Sequence, residues 1–312
     1  MSSGLLSRIT IVCITHHSAA VIGKCMKAIN FAPNIIVVDN ASDDETLKIV
    51  SRTAPQAVIL KNIIGTGYGN AANLAIETSN TEFILMLNPD AFISKKAIFT
   101  LLSAADAYSN SGIISPAHRS KNGEFTLTHD VNLFHRHKVC YPYKSRNNEL
   151  PPQGDICAEY VSGAVNLIRR SALTKIGYFD RKIFLYYDDD DLCMRMYKGG
   201  FSIIYVPSAE ICHLDGGSVR PSKSYLWEKF WNLGWSRLYI EQKYRGKFAV
   251  YTLGIKYSVY LGLKIFMRLF CPIECNRKKM FRDAAKLIGS ISFLLRLPSI
   301  DPEVLKVNEK AR

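Results

Sequence analysis

Four aspartates stand in a row at Asp188-Asp189-Asp190-Asp191, directly after the apolar and aromatic run Phe184-Leu185-Tyr186-Tyr187. Adjacent carboxylates repel, so such a string persists where solvent or a cation relieves the charge. The aromatic run in front of it predicts partial burial rather than a solvated face. A carboxylate held there is a candidate general base. Nothing around it has the spacing of an EF-hand, which argues against a calcium loop. A further acid, Asp90, sits in Asn88-Pro89-Asp90, where a rigid turn closes an apolar run. A carboxylate fixed in that way suits one or two direct bonds to Mg²⁺ or Mn²⁺, with diphosphate oxygens supplying more. The same triplet is also an ordinary turn. Asp39 and Asn40 end a third apolar run and precede Ser42, a suitable helix N-cap. That acid can accept from a base N–H or a ribose hydroxyl, or can serve a capping turn. His213, followed by Gly216-Gly217-Ser218, offers a metal-capable imidazole beside flexible backbone suited to phosphates, the alternative being a structural histidine.

These residues need elements to hold them, and the chain supplies a regular alternation. Apolar runs at residues 9–14, 35–39, 57–60, 83–88 and 112–116 alternate with amphipathic, helix-like stretches at 19–30, 43–53, 68–78 and 95–108. Alternation of this kind predicts a parallel sheet covered by helices, with ligands beyond the carboxyl ends of the strands. Residues 117–158 are rich in His, Lys, Arg, Asn and Pro without a period, and predict a long loop over that face. Pattern returns as a strand over 160–169, a helix over 192–197 and two short strands at 202–206 and 210–212 that lead to His213. There is no internal repeat and no low-complexity linker.

With 312 residues, 48% of them hydrophobic, the chain can bury a full core. Its net charge of +13 is unevenly placed: residues 219–312 carry 19 Lys and Arg against 7 Asp and Glu, and the remainder 21 against 20. A neutral body argues against nucleic acid as the partner. A basic tail interleaved with apolar residues suits an anionic membrane surface at least as well as a phosphate backbone. Within it, residues 248–270 are long enough to span a bilayer, but Lys256, Lys264 and Arg268 interrupt them, and a central Lys costs about 3 kcal/mol. With Tyr260, those residues recur every fourth position and draw a basic stripe along a helix whose other faces are apolar, the pattern of a helix lying in the interface. Residues 277–297 repeat it with Lys278, Lys279, Arg282 and Lys286; two helices packed on the body with solvated basic faces is the alternative. Eight cysteines without a CxxC pair predict buried reduced thiols. The N-terminus has no signal-peptide core, which predicts cytoplasmic residence.

In this order the segments resemble the inverting family 2 glycosyltransferases of the GT-A fold, particularly the rhamnosyltransferase-like branch of bacterial surface polysaccharide assembly. The resemblance runs from about residue 9 to 218. It is carried by VVDNASDD (37–44), Gly67-Tyr68-Gly69 with the following Asn73, LNPDA (87–91), VSGAVNLIRRSAL (161–173), GYFDRKIFLYYDDDDLCMRM (177–196) and HLDGGS (213–218). It implies an α/β, GT-A type fold, a Rossmann-like mixed sheet flanked by helices. Residues 1–220 would form the catalytic domain, with a nucleotide-sugar half to about 116 and an acceptor half over about 157–220. A basic helical extension would follow over 221–312.

The resemblance further implies that Thr15, Asp39, Asn40, Gly67, Asn73 and Asn88 serve the nucleoside-diphosphate sugar. Asp90, assisted by His213, would hold Mg²⁺ or Mn²⁺. Asp189 maps onto the catalytic base, with Asp188 and Asp191 as its neighbours in the acidic string. The reaction would be one displacement, inverting the sugar, onto a lipid-linked or polysaccharide acceptor at the inner face of the cell membrane. dTDP-L-rhamnose is the favoured donor and a UDP-hexose the alternative. A homo-oligomer is compatible with the sequence. The chain departs from the family in His16-His17-Ser18 for Tyr-Asn-Ser, Gly65 for Asn, and Ala71 and Ala75 for glycines. Asp188 for Glu and Asp190 for an apolar residue leave the neighbours of Asp189 as alternative bases. Among other classes, a sugar-1-phosphate nucleotidyltransferase needs a Gly-rich basic loop where Thr15-His16-His17 stands, and a nicotinamide enzyme needs a GxGxxG that is missing. A non-catalytic nucleotide-sugar-binding protein would not need acids at 90 and 189.

Overall fold

The computed structural model describes residues 2–130, 149–214, 222–270, 274–300 and 302–310. A short α1 (Ser2–Leu6) leads into β1 (Ile9–Thr15), and α2 (Ile22–Ile29) connects it to β2 (Ile35–Asn40). Both strands are buried at every position, as parallel strands covered on both faces must be. The cover is explicit in α2, which buries Ile22, Cys25, Met26 and Ile29 at i, i+3, i+4 and i+7. Next come α3 (Thr46–Thr53), β3 (Val58–Asn62), α4 (Tyr68–Thr78), β4 (Phe83–Leu87), β5 (Ala91–Ile93) and α5 (Lys95–Ala107). Ser94 caps α5 by accepting a hydrogen bond from the Ala97 N–H.

Four strands, β3-β2-β1-β4, form the parallel run that alternation predicts. Beyond β4 the sheet becomes mixed. β6 (Ser111–Arg119) does not take the next place. That place goes to β11 (Val165–Arg169), antiparallel to β4 with Val165 opposite Leu87 and antiparallel to β6 on its other side. β12 (Ser202–His213) is parallel to β6, and β5 is antiparallel to β12 at the far edge. Two expected short strands are thus one strand, irregular in register between Val206 and Glu210. The expected strand over 160–169 is likewise broken into β10 (Tyr160–Val161) and β11, with Ser162, Gly163 and Ala164 between them.

The expected loop over 117–158 contributes the end of β6, β7 (Phe125–Thr126), β8 (His129–Asp130) and β9 (Ile156–Ala158); its residues 131–148 lie outside the described residues. β8 pairs with β10 in a separate two-stranded sheet. Two helices complete this part, α6 (Arg170–Ile176) and α7 (Asp188–Lys198). The core is drawn from β1, β2, β4, α2 and α5, with Phe83 and Leu85 fully buried, each worth about 1.5–3 kcal/mol in removed apolar surface. Cys13, Cys25 and Cys193 are buried free thiols and Cys157 is an exposed one.

The chain divides into two compact units: Met1–Gly65, Asn70–Phe179 and Asp189–Arg220 in one, and Thr66–Gly69, Asp180–Asp188 and Pro221–Arg312 in the other. The second is built on α8 (Lys223–Arg245), α9 (Lys247–Leu269), α10 (Glu274–Leu294) and α11 (Pro302–Lys310). Here α8 and α10 cross closely because each offers a glycine. A Cβ on Gly234 would stand 2.2 Å from the Lys286 carbonyl oxygen, and one on Gly289 2.0 Å from that of Trp231. No helix among the described residues is long and apolar enough to cross a membrane.

Candidate active site

The ends of β1 and β2 make the first part of the site. Thr15 and Asp39 are paired across the two strands, and the Thr15 hydroxyl donates to Asp39 Oδ1 at 3.0 Å. The Ser42 N–H donates to Asp39 Oδ2 at 3.1 Å, so both oxygens of this buried carboxylate are oriented. Asn40 Oδ1 accepts from Asn62 Nδ2 at 3.0 Å, and its carbonyl oxygen lies 2.8 Å from His16 Nδ1. The His17 N–H donates to Ser42 Oγ at 2.9 Å. The two histidines that depart from the family pattern thus belong to the same rim as Asp39 and Asn40.

The second part is the turn after β4. Asn88-Pro89-Asp90-Ala91 is a β-turn closed by the Ala91 N–H on the Asn88 carbonyl at 3.0 Å, with Pro89 setting its bend. Pairing of β5 with β12 puts Ala91 opposite His213, and so brings His213 Nε2 within 3.4 Å of Asp90 Oδ1. Two ligands of one ion with bonds near 2.1 Å lie about 3 Å apart, so this carboxylate–imidazole pair fits a single cation such as Mg²⁺ or Mn²⁺. Among the described residues no group of three or more His, Cys, Asp or Glu could hold a metal. An ion held by Asp90 and His213 would leave positions for oxygens of a diphosphate. His118, on β6, packs edge-on against His213, and burial together with that neighbour pushes its pKa down to about 3, leaving a neutral imidazole. Gly216-Gly217-Ser218 lies outside the described residues.

The acidic string is the start of a helix, and that is how its charge is carried. Asp188 to Asp191 form the first turn of α7, where the helix dipole favours carboxylates. Each has a different fate. Asp189 Oδ2 accepts from the Tyr160 hydroxyl at 2.8 Å and from the Gly163 N–H at 3.2 Å, while Oδ1 accepts from the Asp190 N–H at 3.1 Å. The break between β10 and β11 supplies both outer donors. A Cβ on Gly163 would lie 3.3 Å from that of Asp189, so glycine permits the close approach. Asp191 is fully buried and bonds Arg195 Nε at 2.8 Å, and Arg195 in turn donates to the Gly177 carbonyl at 2.7 Å. Asp191 is therefore held in a buried ion pair. Asp190 is buried as well.

Two residues expected to serve the nucleotide sugar also make close contacts within the fold. Asn73 is buried with both ends of its amide on one residue, accepting from the Phe179 N–H at 2.8 Å and donating to the Phe179 carbonyl at 2.9 Å. It anchors the chain ahead of the acidic string. Gly67 belongs to the second unit, where φ of +83° and a Cβ position 2.0 Å from the Phe184 carbonyl oxygen admit glycine alone. The Tyr68 N–H donates to that oxygen at 3.1 Å.

The second unit includes the segment that ends in Asp188. Asp180 accepts from the Tyr239 hydroxyl at 2.7 Å and from Lys243 Nζ at 2.6 Å, and Ser236 donates to the Leu185 carbonyl at 3.0 Å. Tyr186 and Tyr187 both take positive φ, 65° and 63°, a strained pair of conformations immediately before Asp188. Burial, then the charge of Asp188, pushes the Tyr186 hydroxyl up to about 12.

Residues 10–177 match the sequence model of the family described as glycosyl transferase family 2, more than half of the chain. The chain belongs to that family. The N-acetylglucosaminyl-diphospho-decaprenol L-rhamnosyltransferase of Mycobacterium tuberculosis is 26% identical over 249 residues, 70% of this glycosyltransferase and 81% of that protein. Rhamnosyltransferase WbbL of Escherichia coli is 23% identical over 212 residues, 60% of this chain and 80% of that one. Among solved structures, a mannosyltransferase from Pyrobaculum calidifontis in complex with GDP-Man and Mn²⁺ matches in fold with a TM-score of 0.54 at 14% identity, over 93% of this chain and 87% of the other. The glycosyltransferase therefore has the GT-A fold that its sequence implies.

Sequence reasoning missed Tyr160, Gly163 and His118 as parts of the site. Only the Ser-Gly-Ala interruption of an apolar run marked the first two. His118 was hidden in a stretch read as loop.

Proposed function

We propose that this glycosyltransferase moves L-rhamnose from dTDP-L-rhamnose to a hydroxyl of a lipid-linked glycan, inverting the anomeric centre in one displacement. The observation that carries the reaction type is the Asp189 carboxylate, oriented by Tyr160 and Gly163 at the start of α7. Asp189 accepts the proton of the acceptor hydroxyl as its oxygen attacks from the face opposite the nucleotide. Asp90 and His213 would hold the cation, whose charge, when bound, would offset that of the departing diphosphate. Thr15, Asp39 and Asn40 face the nucleoside, and Asn88 borders the diphosphate. Rhamnose is supported by the names of the mycobacterial and E. coli relatives, the lipid-linked acceptor by that of the mycobacterial one alone, and Mn²⁺ by the complex of the mannosyltransferase. Residues 1–220 carry the reaction and residues 221–312 place it at the inner face of the membrane, where such an acceptor lies.

The test is turnover of dTDP-L-rhamnose with Mn²⁺ and a lipid-diphosphate-linked N-acetylglucosamine, alongside a thermal-shift screen of nucleotide sugars. Asp189→Asn should lower turnover about 10²- to 10⁴-fold with donor affinity nearly intact. Near-normal turnover in that variant, with Asp188→Asn or Asp190→Asn inactive, overturns the assignment of the base. A UDP-hexose that stabilises the protein where dTDP-L-rhamnose does not overturns the donor.

A further inference from the structure

The exposed surface of the second unit carries an apolar stripe that the sequence placed differently. Spacing suggested that Lys256, Tyr260, Lys264 and Arg268 mark one face of a helix. A step of four residues turns about 40° past a full rotation, so over three steps that row winds about 120° around α9. It therefore leaves the surface. Lys264 folds over the Tyr260 ring at 4.7 Å, and Arg268 reaches the seam with α10, where it pairs with Asp283. The packed side of α9 is Val250, Gly254, Tyr257 and Leu261.

The opposite side is Phe248, Ile255, Val259, Leu263, Phe266 and Phe270, each more than half exposed. At 100° per residue these six fall within about 80° of arc, a single narrow stripe along a helix about 34 Å long. Exposed apolar surface of this extent and regularity marks an interaction site. The charge beside it selects the occupant. α9 carries Lys247, Lys256, Lys264 and Arg268 and no acidic residue, and the exposed Lys247 and Lys256 flank the stripe on opposite sides. A second copy docked face to face would bring like charges together, whereas anionic headgroups neutralise them.

We propose that this stripe of α9 lies in the headgroup and upper acyl region of an anionic lipid leaflet, with the helix parallel to the membrane plane. The inference gives the membrane placement in the proposed function a definite surface and orientation, and it rests on that reading only for the choice of a biological membrane. The interrupted hydropathy of α9 keeps it on the bilayer rather than across it.

The test uses the full chain and sedimentation with phosphatidylcholine vesicles, with and without phosphatidylglycerol. The wild type should bind the anionic vesicles. The double variant Leu263→Glu, Phe266→Glu should lower partition by more than about 100-fold at an unchanged melting temperature, because both side chains are already exposed. Lys247→Gln and Lys256→Gln should each weaken binding to the anionic vesicles about fivefold. Equal binding by wild type and the double variant overturns the proposal, as does failure of the wild type to bind. A wild-type dimer that the double variant converts to monomer in analytical ultracentrifugation assigns the stripe to a second copy instead. Turnover on a short-chain, water-soluble acceptor, read in parallel, separates the two ideas: vesicle binding without turnover would overturn the proposed function and leave this surface standing.

Discussion

Replacing Tyr160 with phenylalanine removes one oxygen and, with it, the 2.8 Å hydrogen bond donated to Asp189 Oδ2. Tyr160 is only 4% exposed, so water has little access to restore that bond. A hydrogen bond to a charged acceptor contributes about 1.5–3 kcal/mol. If the whole of it serves to aim the carboxylate in the transition state, turnover falls about 10- to 150-fold. The Gly163 and Asp190 N–H groups still hold the carboxylate, so the loss should stay below that of Asp189→Asn. A positioning role predicts a particular split: kcat falls while donor KM and calorimetric donor affinity do not move. Gly163→Ala supplies an independent check, since its Cβ would crowd Asp189 at 3.3 Å and displace the same carboxylate without removing a donor. Steady-state kinetics on both substrates measures the effect. Turnover of Tyr160→Phe within twofold of wild type, or a loss that falls wholly in donor KM, would refute the reasoning.

Asp90→Ala should abolish the part of donor affinity that depends on Mn²⁺ while leaving the fold intact, and calorimetry with and without the ion reads it directly. Arg195→Met leaves the fully buried Asp191 without its guanidinium and should cost about 3–5 kcal/mol, seen as a large drop in denaturant midpoint. Gly67→Ala combines a left-handed backbone, about 1–2 kcal/mol, with a clash at the Phe184 carbonyl, and should lower the melting temperature by several degrees. Burial pushes the Asp180 carboxyl up, but hydrogen bonds from Lys243, the Lys182 N–H and Tyr239 outweigh it and hold the group below its ordinary value of 3.8. Stability from Asp180 is therefore present above about pH 4 and lost as the pH falls further, so Asp180→Asn should flatten the acid limb of a melting-temperature profile.

The sequence by itself determined the elements and the local setting of the acids. The apolar runs at 9–14, 35–39 and 83–88 read as covered strands and are buried, whereas the run at 57–60 became the only partly buried edge strand β3. The turn at Asn88-Pro89-Asp90 and the rim at Asp39-Asn40 stand at strand ends because polar residues there stop a buried strand. The ordered motifs from residue 37 to 218 pointed to the family, whose sequence model matches residues 10–177. The tertiary structure decided which distant residues meet. Alternation reports whether a strand is buried but not its neighbour, so the insertion of β11 between β4 and β6 was invisible, and with it the break that sets Tyr160 and Gly163 on Asp189. The resemblance joined His213 to Asp90, but only the antiparallel register of β5 and β12 gives the physical reason that the two stand side by side. The resemblance singled out Asp189 among the four aspartates, but only the helix turn showed that Asp191 is buried against Arg195 while the Asp189 carboxylate is held by Tyr160 and Gly163. On α9 the basic row lost its meaning for the same reason: a four-residue spacing drifts around a helix, and only packing against α8 and α10 fixes which side is left for solvent or lipid.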